Sequence, residues 1–301
     1  MVEVAALSVA AATAELDRIV ASAGTAPTKD DVERAYEVLL GATADSELAP
    51  FPFLATAIGL VGAAEVSVVE SLPPRAMVAL RLLRAGAAEA AWAVLLDNAT
   101  GVVKRPFRAS TSSGAERTEW VLPLLTAIES PHVYADLPGF RDPRYSAPDA
   151  AYEIGDAIKL RCQIDEVIPG TAPKLSGWAA LDLLQTEPDE SVAVVARSED
   201  REIRWAGMRH RRADLVGGTR DTLRRRAWAG WSAELDPAKL ATDGGQWMLW
   251  LEVGHRGVAR RVRLGRSVTP LGARAVGKDI CDRPRTHLVE AAGGWSLQLR
   301  K

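Results

Sequence analysis

The sequence predicts a segregated α+β chain, with an α-helical module over residues 1–130 followed by an antiparallel β-sandwich over residues 131–301. Three observations carry this expectation. Up to about residue 130 the chain is rich in Ala and Leu, and its apolar residues recur at helical spacing. Beyond it, Val, Trp and Arg alternate in short runs broken by Gly, Pro and Asp. No helix-length crossover separates those runs, which disfavours a parallel dinucleotide-binding sheet.

Ala5 to Ala21 reads as the first helix, free of Pro and Gly, with Gly24 and Pro27 ending it. Thr28 opens a second helix. Its hydroxyl is placed to accept the amide of Asp31, and Asp31 sits where a capping-box acid belongs. Val32, Tyr36, Leu39 and Leu40 share one face, and Gly41 is the expected stop. Residues 52–64 are weakly patterned and read as a third helix. Pro73 and Pro74 open the next one, because a first turn loses nothing by a missing N–H. Val78, Ala79, Leu82 and Leu83 form its apolar face, and Gly86 closes it. Ala87 to Leu96, with Ala91, Val94 and Leu95 buried, is its partner in an αα-hairpin. Thr100 to Ala115 reads as a polar loop, and Glu119 to Ile128 as one more short helix. Ser130-Pro131 marks the change of module.

Strands are expected at His132–Leu137, Ala157–Val167, Lys174–Leu184, Ser191–Ala196 and Arg201–Ala206. Others are expected at Arg225–Leu235, Trp247–Val253, Gly257–Leu264 and Trp295–Leu299. Trp247, Leu249, Leu251 and Val253 line one face, answered by Val258, Val262 and Leu264 across a turn at Gly254-His255-Arg256-Gly257. Many short strands at near-regular spacing argue a sandwich.

The 301 residues suffice for two cores. The net charge of −2 conceals an asymmetry. Residues 1–130 carry 16 acids and 10 bases, and the remainder carries 23 acids and 27 bases. A mildly basic second half suits an anionic partner. Cys162 and Cys281 form neither a disulfide framework nor a metal pattern, and fit a reducing cytosol. The small-residue stretch from Val4 to Ala12 lacks a basic flank and is too short to span a membrane.

One stretch is recognisable. Tyr134-Ala135-Asp136-Leu137-Pro138-Gly139-Phe140-Arg141-Asp142-Pro143 is followed by Ala147-Pro148-Asp149 and Tyr152-Glu153-Ile154. Leu160-Arg161-Cys162-Gln163-Ile164-Asp165 and Lys174-Leu175-Ser176-Gly177-Trp178-Ala179 come next. Trp231 to Ala238 and Gly245 to Val253 extend the match, and Leu72 to Gly86 resembles a helical linker. Together these resemble the accessory region of bacterial family 2 glycosyltransferases similar to the teichoic acid enzymes TarS and TarP. The resemblance covers residues 50–300. It implies a helical linker joined to an immunoglobulin-like or carbohydrate-module-like sandwich. It also implies support of glycosyltransfer to a cell-envelope polymer through oligomerisation, positioning of a catalytic glycosyltransferase subunit, or holding an anionic glycopolymer. The family's nucleotide-sugar domain has no counterpart in these residues, so no sugar-transfer residue carries over. A cytoplasmic module, at the inner face of the membrane, is the expected setting.

Nine tryptophans are many for this length, and seven follow residue 177. Indoles stack on sugar rings and also fill sandwich cores. Trp178, Trp247 and Trp250 are expected in the core. Trp205 and Trp228 stand among arginines and are expected at the surface. Basic runs occur at Arg209-His210-Arg211-Arg212, at Arg224-Arg225-Arg226, and at Arg260, Arg261 and Arg263. Guanidinium forks suit phosphate, while strand edges also carry such charges against aggregation. The expected ligand-binding set is therefore Trp205, Arg209, Arg211, Arg226 and Trp228. No catalytic residue, metal site or cofactor is expected. His132, His210, His255 and His287 are isolated, and Asp97 and Asp136 lack a paired carboxylate. Val216-Gly217-Gly218-Thr219 reads as a turn, without the Gly-Lys-Ser/Thr of a phosphate loop. Nucleic-acid signatures are missing. Two rivals stay open: a structural assembly subunit with no glycan ligand, and an enzyme with an unrecognised site between the modules.

Overall fold

The computed structural model describes residues 7–43, 51–100, 126–212, 226–240, 246–265, 278–282, 285–291 and 294–299. The expected loop over 101–115, the turn at Val216–Thr219, and Arg224 and Arg225 lie outside them. The chain divides into two compact units, Met1–Ala157 and Ile158–Lys301.

The first unit holds six α-helices among the described residues: α1 (Val9–Ala23), α2 (Lys29–Thr43), α3 (Phe51–Ala63), α4 (Val66–Glu70), α5 (Pro74–Arg84) and α6 (Ala88–Thr100). Ser8 caps α1 by accepting the Ala11 amide at 3.3 Å. The Thr28–Asp31 box forms as the spacing requires. The Asp31 amide donates to Thr28 Oγ1 at 3.3 Å, and the Thr28 amide donates to Asp31 Oδ2 at 2.9 Å. Gly41 does not stop α2, which runs on to Thr43. Val78, Ala79, Leu82 and Leu83 are fully buried, and α5 packs on α6 as the expected hairpin.

The segment before Pro131 corrects one expectation. Thr126–Glu129 is a strand, β1, and not the end of a helix. It pairs antiparallel with β2 (His132–Ala135). A four-residue piece takes its conformation from its partner, and β2 supplies one directly across a tight turn. Arg141 pairs with Glu129 and Asp149 and lies 4.8 Å from the Phe140 ring centroid. Tyr152 is buried beneath this corner, its hydroxyl donating to the Pro138 carbonyl at 3.0 Å.

The second unit is antiparallel β. Its strands are β3 (Leu160–Ile168), β4 (Lys174–Leu181), β5 (Ser191–Arg197), β6 (Glu202–His210), β7 (Gly230–Glu234), β8 (Gln246–His255), β9 (Val258–Arg263), β10 (Lys278–Asp282), β11 (Arg285–Ala291) and β12 (Gly294–Leu299). They form one curled sheet in the order β10-β11-β12-β8-β5-β6-β7-β4-β3, with β9 also on β8. The sheet folds over at β6. Glu202–Ala206 pairs with β5, whereas Gly207–His210 pairs with β7. Gly207 makes that corner possible, since a Cβ there would lie 2.8 Å from the Ser232 carbonyl oxygen and 2.9 Å from Val192 Cγ1. One sheet thus becomes a half-barrel whose concave side encloses the core. Trp231, Trp247 and Trp295 are its largest fully buried side chains. The β8–β9 hairpin closes through Arg256 and Gly257, both at positive φ, as a two-residue turn of the mirror-image kind. Strands β10 and β11 were not expected from the sequence.

Candidate functional site

Strand parity decides which side chains reach solvent. In β4, Leu175, Gly177 and Ala179 face the core, so Ser176 and Trp178 face outward. Register then places Gln163 of β3 opposite Trp178, Trp178 opposite Gly230 of β7, and Gly230 opposite His210 of β6. The next row runs through Ser176, Ser232 and Met208, and Met208 is 70% exposed. The outer face of this half-sheet therefore presents an indole, a carboxamide, an imidazole, the Ser176 hydroxyl and a thioether, while Ser232 is buried. Trp178 and Trp250 are half-buried on outer faces, contrary to the expectation of core positions. Trp247 is in the core as expected.

A basic cluster surrounds Trp178. Its Nε1–H donates to Gln163 Oε1 at 3.2 Å, which fixes the ring plane. The Arg226 guanidinium carbon lies 5.6 Å from the ring centroid, within cation–π range. Arg226 Nη2 stands 3.8 Å from Asp182 Oδ1, while Arg161 Nε donates to Asp182 Oδ2 at 2.8 Å. The hydrogen bond that Arg161 donates to Asp182 raises the Arg161 pKa. Two guanidiniums thus share one carboxylate beside a half-exposed indole. Arg212 is paired with Asp165 along the same half-sheet. Burial pulls the His210 pKa below its ordinary value, and the charges of Arg212, Lys174 and Arg209 pull it further. Both effects favour the neutral imidazole, burial more than the neighbouring charges.

The expected ligand set separates. Arg226 lies over Trp178, with its side chain 41% exposed. Arg211 is exposed just beyond the end of β6. Trp228 is half-buried in the turn before β7, its amide donating to Thr186 Oγ1 at 3.0 Å. Trp205 is not at the surface as expected. It is 4% exposed, because it pairs with the core-facing Val194 and shares its side of the sheet. Nor does Arg209 belong to a solvent-facing patch. Its side chain is fully buried, and what exposure the residue has belongs to its main chain. It pairs with Glu190 and donates to the carbonyls of Ala179 and Ala229 at 2.8 and 3.2 Å. His255 Nδ1 approaches the other Glu190 oxygen at 3.0 Å. Burial lowers the Arg209 pKa, and Glu190 opposes that shift.

Sequence reading placed Trp178 in the core and gave Gln163, Arg161 and Asp182 no part in ligand contact. The usable signal was parity: Trp178 is out of step with Leu175 and Ala179. Among the described residues no group of three His, Cys, Asp or Glu side chains is arranged to hold a metal ion. Burial pushes the Cys162 thiol up to about 12, which leaves it inert as a nucleophile. A cleft of about 140 Å³ in the first unit is lined by Met77, Arg81, Glu153 and Asp156, but Arg81 is already held by Glu70 and the Glu153 carbonyl. No described helix is long and apolar enough to cross a membrane.

No protein-family model and no curated protein matches the sequence. Among solved structures, the chain is similar to a fragment of TarS from S. aureus spanning residues 217–571. That match is at 11% identity over 97% of this chain and 75% of the fragment, with a TM-score of 0.43. It is also similar to a longer S. aureus TarS structure, at 11% identity over 97% of this chain, with a TM-score of 0.44. The chain spans about half of that longer one, 48% of its length.

Proposed function

We propose that this chain is a non-catalytic accessory module that supports glycosyltransfer to a cell-envelope glycopolymer by holding the anionic chain on the outer face of β3, β4 and β7. The observation that carries this reading is the cluster of Trp178, Arg226, Arg161 and Gln163. An indole face suits the apolar face of a sugar, and its rim of guanidiniums suits phosphate. The resemblance of Leu160–Asp165 and Lys174–Ala179 to the accessory region of family 2 glycosyltransferases supports the same reading. Arg226, Arg211 and Trp228 keep their place as ligand contacts, with Trp178 added. Trp205 and Arg209 support the face from the core. In this reading the module works as a homo-oligomer beside a catalytic glycosyltransferase subunit, in the cytoplasm at the inner face of the membrane.

The test is a titration of the full chain with purified teichoic acid, followed by calorimetry. A charge-assisted hydrogen bond is worth about 1.5–3 kcal/mol, so loss of the Arg226 contact alone corresponds to roughly tenfold or more in affinity. The variant Trp178→Ala/Arg226→Ala is expected to lose at least that much while keeping the wild-type near-UV circular dichroism. Equal affinity of the folded variant, or no binding by the wild-type chain, would overturn the reading.

A further inference from the structure

We infer that the cleft beside Arg81 in the first unit is a binding site for a primary alkylammonium group, carried by a free amine or by the lysine side chain of a partner protein. The glycopolymer face belongs to the second unit, so this site stands or falls independently of it.

The cleft has a volume of about 140 Å³. It is lined by α5 and by the segment that carries two short 3₁₀ turns, Asp149–Tyr152 and Gly155–Ala157. That volume is well below the roughly 300–1,000 Å³ of a pocket for a drug-sized molecule, so the cleft suits a head group with a few methylenes. Its charge follows from what holds Arg81. Arg81 Nε donates to Glu70 Oε1 at 2.8 Å, Nη2 donates to the other Glu70 oxygen, and Nη1 donates to the Glu153 carbonyl. The guanidinium is neutralised from within and does not make an anion site. Two carboxylates of the lining remain. Asp156 is exposed, with neither a hydrogen bond nor an ion pair among the described residues. Glu153 gives one oxygen to His132 Nδ1 at 2.7 Å, and its other oxygen has no partner among the described residues. Counting Arg81, Glu70, Glu153 and Asp156 leaves two net negative charges, and a protonated His132 would still leave one. Among the described residues no three acids, histidines or cysteines are grouped to hold a metal ion, so an organic cation fits the charge better. An ammonium group brings three donors and no acceptor, which matches carboxylate oxygens. Met77, Ile154 and Ala157 give its methylenes an apolar wall.

The test is a titration of the ¹⁵N-labelled full chain with butylamine, butanol and butyrate, which share a carbon chain and differ in charge. Butylammonium should shift the Gly155, Asp156 and Ala157 amide resonances saturably, and butanol and butyrate at least fivefold more weakly. Asp156→Asn should weaken butylammonium roughly two- to fivefold, the scale of one exposed charge pair. Asp156 has no partner to lose, so the variant should keep the wild-type circular dichroism. Nα-acetyl-lysine methylamide separates the sources. Binding at least as tight as butylamine points to a partner's lysine and weaker binding to a free amine, and either result upholds the ammonium assignment. Equal shifts by butanol, shifts that do not centre on residues 154–157, or an unchanged affinity in folded Asp156→Asn would overturn it. Should that variant not fold, wild type in strong salt decides, and undiminished butylammonium binding overturns the inference.

Discussion

Replacing Glu190 by Ala isolates a positive charge in the core of the β unit. The Arg209 side chain is fully buried and that of Glu190 is 1% exposed, so solvent cannot take over when the carboxylate goes. Arg209 keeps its bonds to the Ala179 and Ala229 carbonyls, which are dipoles and not countercharges. His255 loses its partner at 3.0 Å as well. Breaking a buried pair in this way costs about 3–5 kcal/mol, because the stranded ion retains its desolvation penalty. With a urea m-value of about 2 kcal/mol/M, the midpoint should fall by about 2 M. Seven of the nine tryptophans lie in residues 158–301, so indole fluorescence follows the unfolding of this unit. The decisive comparison is Glu190→Leu/Arg209→Met, which removes both charges and keeps apolar volume. It should be markedly more stable than Glu190→Ala, since nothing charged is left without a partner. Were Glu190→Ala to cost under about 1 kcal/mol, or the double variant to show the plain sum of two single losses, Arg209 would have a route to water and the buried assignment would fail.

Two further outcomes follow from local geometry. Gly177→Ala would set a Cβ 2.0 Å from the Gln163 carbonyl oxygen and 2.9 Å from Ile164 Cα, both main-chain atoms. The expected cost is about 3 kcal/mol, read as a lower urea midpoint, and an unchanged midpoint would show that β3 and β4 do not approach so closely. The second concerns acid. Burial pushes the Glu252 carboxyl up, but hydrogen bonds from Arg261 and Arg204 outweigh it, and the net shift is below the ordinary 4.5. The Arg261 hydrogen bond likewise holds Glu202 low. A depressed carboxyl stabilises the fold above its unfolded pKa, and that contribution is lost as pH falls through the folded one. Urea midpoints should therefore decline below pH 4.5, and Glu252→Gln should be less stable than wild type at pH 7 but equal to it at the acid end. A constant difference from pH 7 to pH 2.5 would count against the Arg204–Glu252–Arg261 network.

Local chemistry was readable without the fold. Thr28 and Asp31 cap α2, Pro73 and Pro74 open α5, and Arg256-Gly257 turns β8 into β9. Each depends on residues within one turn of chain. The change of period near residue 130 likewise announced helices followed by antiparallel strands. In the proposed function, ligand contact falls to arginine and tryptophan, the residue types that charge and composition single out. Whether a given tryptophan or arginine meets water was decided by tertiary structure alone. Trp205 and Arg209 turn inward and Trp178 turns outward because pairing register sets strand parity, and a shift of one residue reverses every side chain. The Gly207 corner, the pairing of Glu190 with Arg209, and the meeting of Arg161 with Arg226 at Asp182 join residues 15 to 65 positions apart. Contacts at that separation form only when the sheet curls, and no local pattern along the chain encodes how it will close.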